Sequence, residues 1–190
     1  MASSAIARRG AAAGVEADGL AIGLLGGLTV AWRGVPAALP VRTRTQRLLA
    51  LLVLRGGGIR RVAAGALLWP DAEQAEAIAA LRRHVADLER YLADLTGHRP
   101  WVQRSGERLT WHPPVPCAVD AVQVFDAAIR LPDSVLRADA PATAALTRLC
   151  ARAATTPLAP GWTDAWVADA RRVPSAAAQA LLRPLADRLA

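Results

Sequence analysis

Apolar and polar positions along this chain follow several rhythms, and each predicts a different kind of element. Residues 1–18 (MASSAIARRGAAAGVEAD) have no apolar period and read as a flexible tail. LAIGLLGGLTVAW and then VPAALPV are short apolar runs broken by Gly and Pro, which predict two or more strands separated by turns. From about Thr43 to Arg55, Leu48, Leu49, Leu51, Leu52 and Leu54 give a helix a wide apolar face. Thr43 or Thr45 can cap its start, and Gly56, Gly57 and Gly58 stop it. A short second helix fits Val62–Trp69, ended by Pro70.

The longest helical pattern runs from about Ala72 to Leu95, closed by Gly97 and Pro100. Ile78, Leu81, Val85, Leu88, Leu92 and Leu95 recur every three or four residues, forming a single seam that docks on a small core. At 100° per residue the opposite face carries Glu76, Ala79, Arg83, Asp87, Arg90 and Asp94, with Arg82 on the flank. WVQRSGERLTW then reads as a β-hairpin with Arg104 and Arg108 at its tip. HPPVPCAVD reads as a proline-stiffened linker. Helices follow at roughly Ala121–Arg130, Ala142–Ala154, Asp164–Arg171 and Ser175–Leu189. The fold class is therefore α+β. It divides into a tail (1–18), a mixed half (19–112), a linker (113–118) and an all-helical segment (119–190).

Composition sharpens this picture. Of 190 residues, 53% are hydrophobic and 21% charged, enough to bury a core. All 23 basic residues are Arg, against 16 acids. Their placement is uneven. Between Gly19 and Pro70 stand Arg33, Arg42, Arg44, Arg47, Arg55, Arg60 and Arg61 and no acid, so the whole net charge of +7 arises there. Such a concentrated field attracts phosphate polymers or an anionic surface. The fourteen-residue apolar run Gly19–Trp32 is too short to span a bilayer, which takes about 20 residues. Glu16 and Asp18 separate it from Arg8 and Arg9, unlike a targeting segment. A cytoplasmic protein without membrane contact is expected.

Enzyme chemistry finds no support. His84, His98 and His112 are scattered, and HExxH, nucleophile-elbow and phosphate-loop spacings are missing from the sequence. Cys117 and Cys150 cannot build a disulfide framework or a four-ligand zinc site, so neither metal nor cofactor is expected. Trp69, Trp111, Trp162 and Trp166 read as packing residues.

The order strands, helix, short helix, long helix, hairpin is that of a winged helix, in which the third helix enters the DNA major groove and the hairpin touches backbone or minor groove. The sequence also resembles the actinomycete antibiotic regulatory activators. That family joins a winged helix of the response-regulator output type to a helical, repeat-like bacterial transcriptional activator domain. The resemblance lies in LLGGLTV, TRTQRLLALLVLRGG, ALLWPD, AALRRHVADLERYL, RSGERLTW, Val119-Asp120 with Phe125, and LAPGWTDAW, covering about Leu20 to Leu189.

The resemblance implies a transcription activator of a biosynthetic gene cluster that binds promoter direct repeats in double-stranded DNA and contacts RNA polymerase. It places Arg82 and Arg83 in the recognition motif, Arg104 and Arg108 on the wing, Arg44 and Arg47 at the first helix, and polymerase contact at Pro70–Ala75. Arg90 joins them on the outward helix face. Two features depart from the family. Asp87 and Glu89 stand where that motif is small or basic, and would repel phosphate unless paired, Asp87 with Arg83 one turn earlier. The helical domain also stops at Ala190 after about one and a half helix pairs, leaving Leu181, Leu182, Leu185 and Leu189 to fold back or meet a partner. The protein is expected to be a monomer that pairs head to tail on DNA. The competing expectation is a protein-interaction module, or a decayed regulator, whose DNA face these acids have weakened.

Overall fold

The computed structural model describes residues 19–134 and 140–186. The expected N-terminal tail and Leu189 lie outside them, as do the side chains of Leu181, Leu182 and Leu185. The elements are β1 (Leu20–Gly23), β2 (Thr29–Trp32), β3 (Val35–Ala37), α1 (Thr43–Leu54), β4 (Ile59–Arg60), α2 (Arg61–Leu68) and α3 (Gln74–Thr96). They continue with β5 (Val102–Ser105), β6 (Arg108–Trp111), β7 (Cys117–Val119), α4 (Asp120–Ser134), α5 (Ala140–Thr155) and α6 (Ala165–Ala186). The architecture is mixed α+β.

Two small sheets flank the first three helices. One has the order β3-β2-β1-β7, the other β4-β6-β5. In β1, Leu20 and Ile22 face inward and Ala21 outward, the alternation of a sheet with one buried face. In α1 the residues from Leu48 to Val53 are all buried. A helix apolar all round is one enclosed on all sides, and α1 touches α2, α3, α4 and β6. Thr43 and Thr45 do not cap it. Arg42 occupies the cap position without a side-chain bond, and buried Thr45 instead contacts His84 of α3.

The seam of α3 is as expected: Leu81, Val85, Leu88 and Leu92 are buried, with Ile78 and Leu95 half-buried at its ends. Gly65 lets α2 approach α3 closely, since a methyl there would lie 3.3 Å from the Ala77 side chain. Gly97 ends α3 at φ +77°, a conformation that suits glycine, and its N–H donates to Ala93 O at 2.8 Å.

Two expectations need correction. The linker 113–118 is only partly a connection, because Cys117 and Ala118 belong to β7, which pairs parallel with β1. Leu20 N–H also donates to Pro116 O, at 2.9 Å. The open edge of β1 supplies ladder partners that three residues cannot announce by period. The helices expected over Asp164–Arg171 and Ser175–Leu189 are one helix, α6, continuous through Pro174. An interior proline costs about 3 kcal/mol. Burial of Trp166 and Val167 before it and Ala178 after it offsets that cost.

The helical segment packs directly on the first sheet. Leu25 pairs with Leu158, Gly26 N–H donates to Pro157 O at 3.0 Å, and Ala159 N–H donates to Leu24 O at 2.8 Å. Beneath this junction the fully buried Asp120 carboxylate accepts from the N–H groups of Leu24 (2.8 Å), Leu25 (3.1 Å) and Ala121 (2.7 Å). Arg152 Nη2 stands 3.6 Å from it. Burial raises the Asp120 pKa, while those three N–H groups and Arg152 oppose the rise.

Candidate nucleic-acid interface

The outward face of α3 and the β5–β6 hairpin form one surface, and a carboxylate joins them. Glu89 accepts from Trp101 N–H (3.0 and 3.2 Å to its two oxygens) and from Val102 N–H (2.5 Å). Trp101 is completely buried and stacks on Trp111 at 5.4 Å. Glu89 therefore tethers the hairpin to the helix and does not project as a free charge. Asp87 is also engaged. It pairs with Arg90 at 3.2 Å and with Arg42 at 3.4 Å, not with Arg83 as its spacing suggested. The two acids that stood against phosphate binding are thus occupied inside the fold.

The seven expected contact residues fall into three groups. Arg82, Arg83 and Arg104 are exposed and have no carboxylate partner among the described residues. Arg90 and Arg108 are exposed but held. Arg90 pairs with Asp87, and Arg108 donates to Gly57 O and Gly58 O, each at 3.1 Å. Arg44 and Arg47 turn away to the helical segment, where both pair with Asp164, at 3.3 and 3.0 Å. Arg47 also lies 5.7 Å over the Trp162 ring.

On the hairpin, Arg104 and Arg108 lie on opposite faces. Arg104 is opposite Leu109, which is buried, whereas Arg108 is opposite Ser105 and, on its other side, Arg60. Arg104 therefore shares the face turned toward α3. There a groove of about 140 Å³ opens, lined by Arg61, Ile78, Leu81, Arg82, Val85, Arg104 and Leu109. Arg61 is the residue that sequence reading passed over. Its signal was available in part: it begins a helix, next to Arg60, with no acid in the first turn.

His84 marks where α1, α2 and α3 meet. Its Nδ1 lies 2.8 Å from Thr45 Oγ1, and its ring is 5.2 Å from that of Trp69. Burial holds its pKa below the ordinary histidine value; Arg42, Arg83 and Arg44 add to that effect and Asp87 opposes it. A neutral imidazole thus sits among arginines. Burial pushes the thiols up to about 12 at Cys117 and about 11 at Cys150, so both stay protonated at neutral pH. Among the described residues no three His, Cys, Asp or Glu side chains group as metal ligands, and no helix is long and apolar enough to cross a membrane.

No protein-family model and no curated protein matches the sequence. Among solved structures, the chain is similar to Mycobacterium tuberculosis EmbR, determined in complex with a low-affinity phosphopeptide, at 20% identity and a TM-score of 0.50. The match covers 88% of this chain and 42% of EmbR, so the chain spans less than half of that protein's length and shares its fold there.

Proposed function

We propose that the protein is a DNA-binding transcription regulator of the antibiotic regulatory type. In this reading residues 19–112 form a winged helix, with α3 in the major groove and the β5–β6 hairpin as the wing. The observation that carries it is the charge along the middle of α3 and on β5, the exposed acids Glu76, Asp94 and Glu107 lying at the ends of the helix and at the hairpin turn. Arg82, Arg83 and Arg104 are exposed and unopposed, while Asp87 and Glu89 are both held by groups of the fold. Unpaired guanidinium groups on an exposed helix are what phosphate neutralisation and guanine recognition use. The fold likeness to EmbR, a regulator of the same type, supports the assignment.

On this proposal two protomers occupy direct repeats head to tail and activate transcription. Exposed Pro70, Asp71 and Glu73, between α2 and α3, face RNA polymerase. Arg90 and Arg108 add charge to the surface, whereas Arg44 and Arg47 serve the junction with the helical segment. The test is binding to a duplex selected from a random pool, followed across salt concentrations. The Arg82→Ala/Arg83→Ala double variant loses discrimination between that duplex and unrelated DNA while its circular dichroism is unchanged. Retained discrimination would refute the recognition-helix assignment.

A further inference from the structure

We infer that the groove between α2, α3 and the hairpin seats one sugar–phosphate unit of the DNA backbone, and that Arg83, outside it, reads base edges. This rests on the DNA-binding reading above and divides a pair of adjacent arginines that the sequence treats alike.

The rim of the groove brings together Arg61 from the start of α2, Arg82 from α3 and Arg104 from β5. No carboxylate lines it. Six arginines elsewhere, Arg42, Arg44, Arg47, Arg90, Arg152 and Arg172, have an acid partner, while others such as Arg33, Arg55, Arg60, Arg83 and Arg108 have none among the described residues. What sets the rim apart is that three such arginines line one groove. The three at this rim have none among the described residues. Three guanidinium groups around one small space repel each other, and an anion between them reverses the sign of that interaction. The start of α2 adds the positive end of a helix dipole, with no acidic residue in its first turn.

The floor narrows the ligand further. Ile78, Leu81, Val85 and Leu109 make it apolar. A free phosphate would leave that floor uncovered, and a base edge needs hydrogen-bonding groups that it lacks. A deoxyribose lays its C–H face on such a floor while its phosphate meets the rim. Arg83 follows Arg82 by one residue, hence about 100° around the helix, and is exposed outside the groove. Its guanidinium is left for bidentate contact with guanine.

The experiment compares Arg61→Gln, Arg104→Gln and Arg83→Gln in the full chain, on the selected duplex and an unrelated one. Removing either groove arginine weakens both duplexes alike and makes the slope of log K against log salt shallower by about 0.9. Arg83→Gln lowers affinity for the selected duplex alone, by about 5- to 150-fold. Because Arg61 is half-buried, thermal unfolding controls its variant, and exposed Arg104 gives the same reading without that burden. An unchanged slope in Arg104→Gln, or altered base preference in either groove variant, overturns the inference while the DNA-binding reading stands. A wild-type chain that binds neither duplex overturns both.

Discussion

Glu89 separates two accounts of the same residue. By position in the sequence it is an acid on a helix expected to face DNA, and on that account its removal should favour binding. By structure it is the sole side-chain acceptor for two backbone N–H groups at the root of the hairpin, those of Trp101 and Val102. Both residues are buried, at 0% and 3% exposure, so water reaches the stranded N–H groups only through the space that half-buried Glu89 leaves. An unsatisfied buried donor costs about 1–3 kcal/mol. Glu89→Ala strands two of them, so about 3 kcal/mol is a central expectation, against about 5–15 kcal/mol for the stability of a typical protein. For a chain of this length that lowers the unfolding midpoint by about 6–12 °C. Glu89→Gln keeps one carbonyl oxygen as an acceptor and should lose about half as much. The assay is thermal unfolding followed by tryptophan fluorescence, to which Trp101 and Trp111 contribute beside the chain's four other tryptophans, with DNA affinity measured in parallel below the midpoint. A Glu89→Ala protein that melts within about 2 °C of wild type and binds unrelated DNA more tightly would refute the tether.

Asp164 should behave as the hub of the junction: Asp164→Asn lowers stability to urea by about 1–3 kcal/mol. Adding Arg47→Gln to it costs little more, because both changes break the same contact; fully additive losses in a double-mutant cycle would count against the coupling. His84 gives a pH signature. Its folded pKa lies below that of the unfolded chain, so between the two the unfolded chain takes up a proton that the folded one does not. Stability is therefore complete above about pH 6.5 and falls as pH drops from there toward the folded value. His84→Gln removes this part of the decline between pH 7 and 5.5, and a parallel decline in both proteins would contradict it.

Much of the fold is legible in the sequence because its strongest signals are local. The seam Leu81, Val85, Leu88, Leu92 sets the inner face of α3 without reference to any other element, and Gly97 marks its end. The hairpin announces itself by turn residues between two apolar flanks. What escapes is whatever a distant partner decides. β7 is three residues long and exists because β1 has a free edge. Thr45 looks like a cap from its neighbours, yet the residue that claims its hydroxyl is His84, 39 positions later. Pro174 should end a helix, but apolar contacts on both sides carry α6 through it.

The candidate site obeys the same division. The acid-free run from Gly19 to Pro70 shows that a positive field exists, but not which arginines produce it once the chain has folded. Arg42 shares Asp87 of α3 with Arg90, and Arg44 and Arg47 share Asp164, well over a hundred residues along the chain, so each carboxylate offsets only one of its two guanidinium charges. Arg33, Arg55, Arg60 and Arg61 remain without a carboxylate among the described residues. Two of these four sit where β4 meets α2, and there the fold accepts a further repulsion: Arg60 lies directly opposite Arg108 across the β4–β6 ladder. Like charges so placed destabilise a sheet, by roughly 0.2–1 kcal/mol. Donation by Arg108 to Gly57 O and Gly58 O compensates in part, since those carbonyls carry only partial negative charge. A polyanion laid along this edge would remove the repulsion outright, and a ligand that binds only the folded chain also stabilises it by mass action. On the proposed DNA-binding reading, hairpin stability and DNA affinity are thereby linked through the same few guanidinium groups.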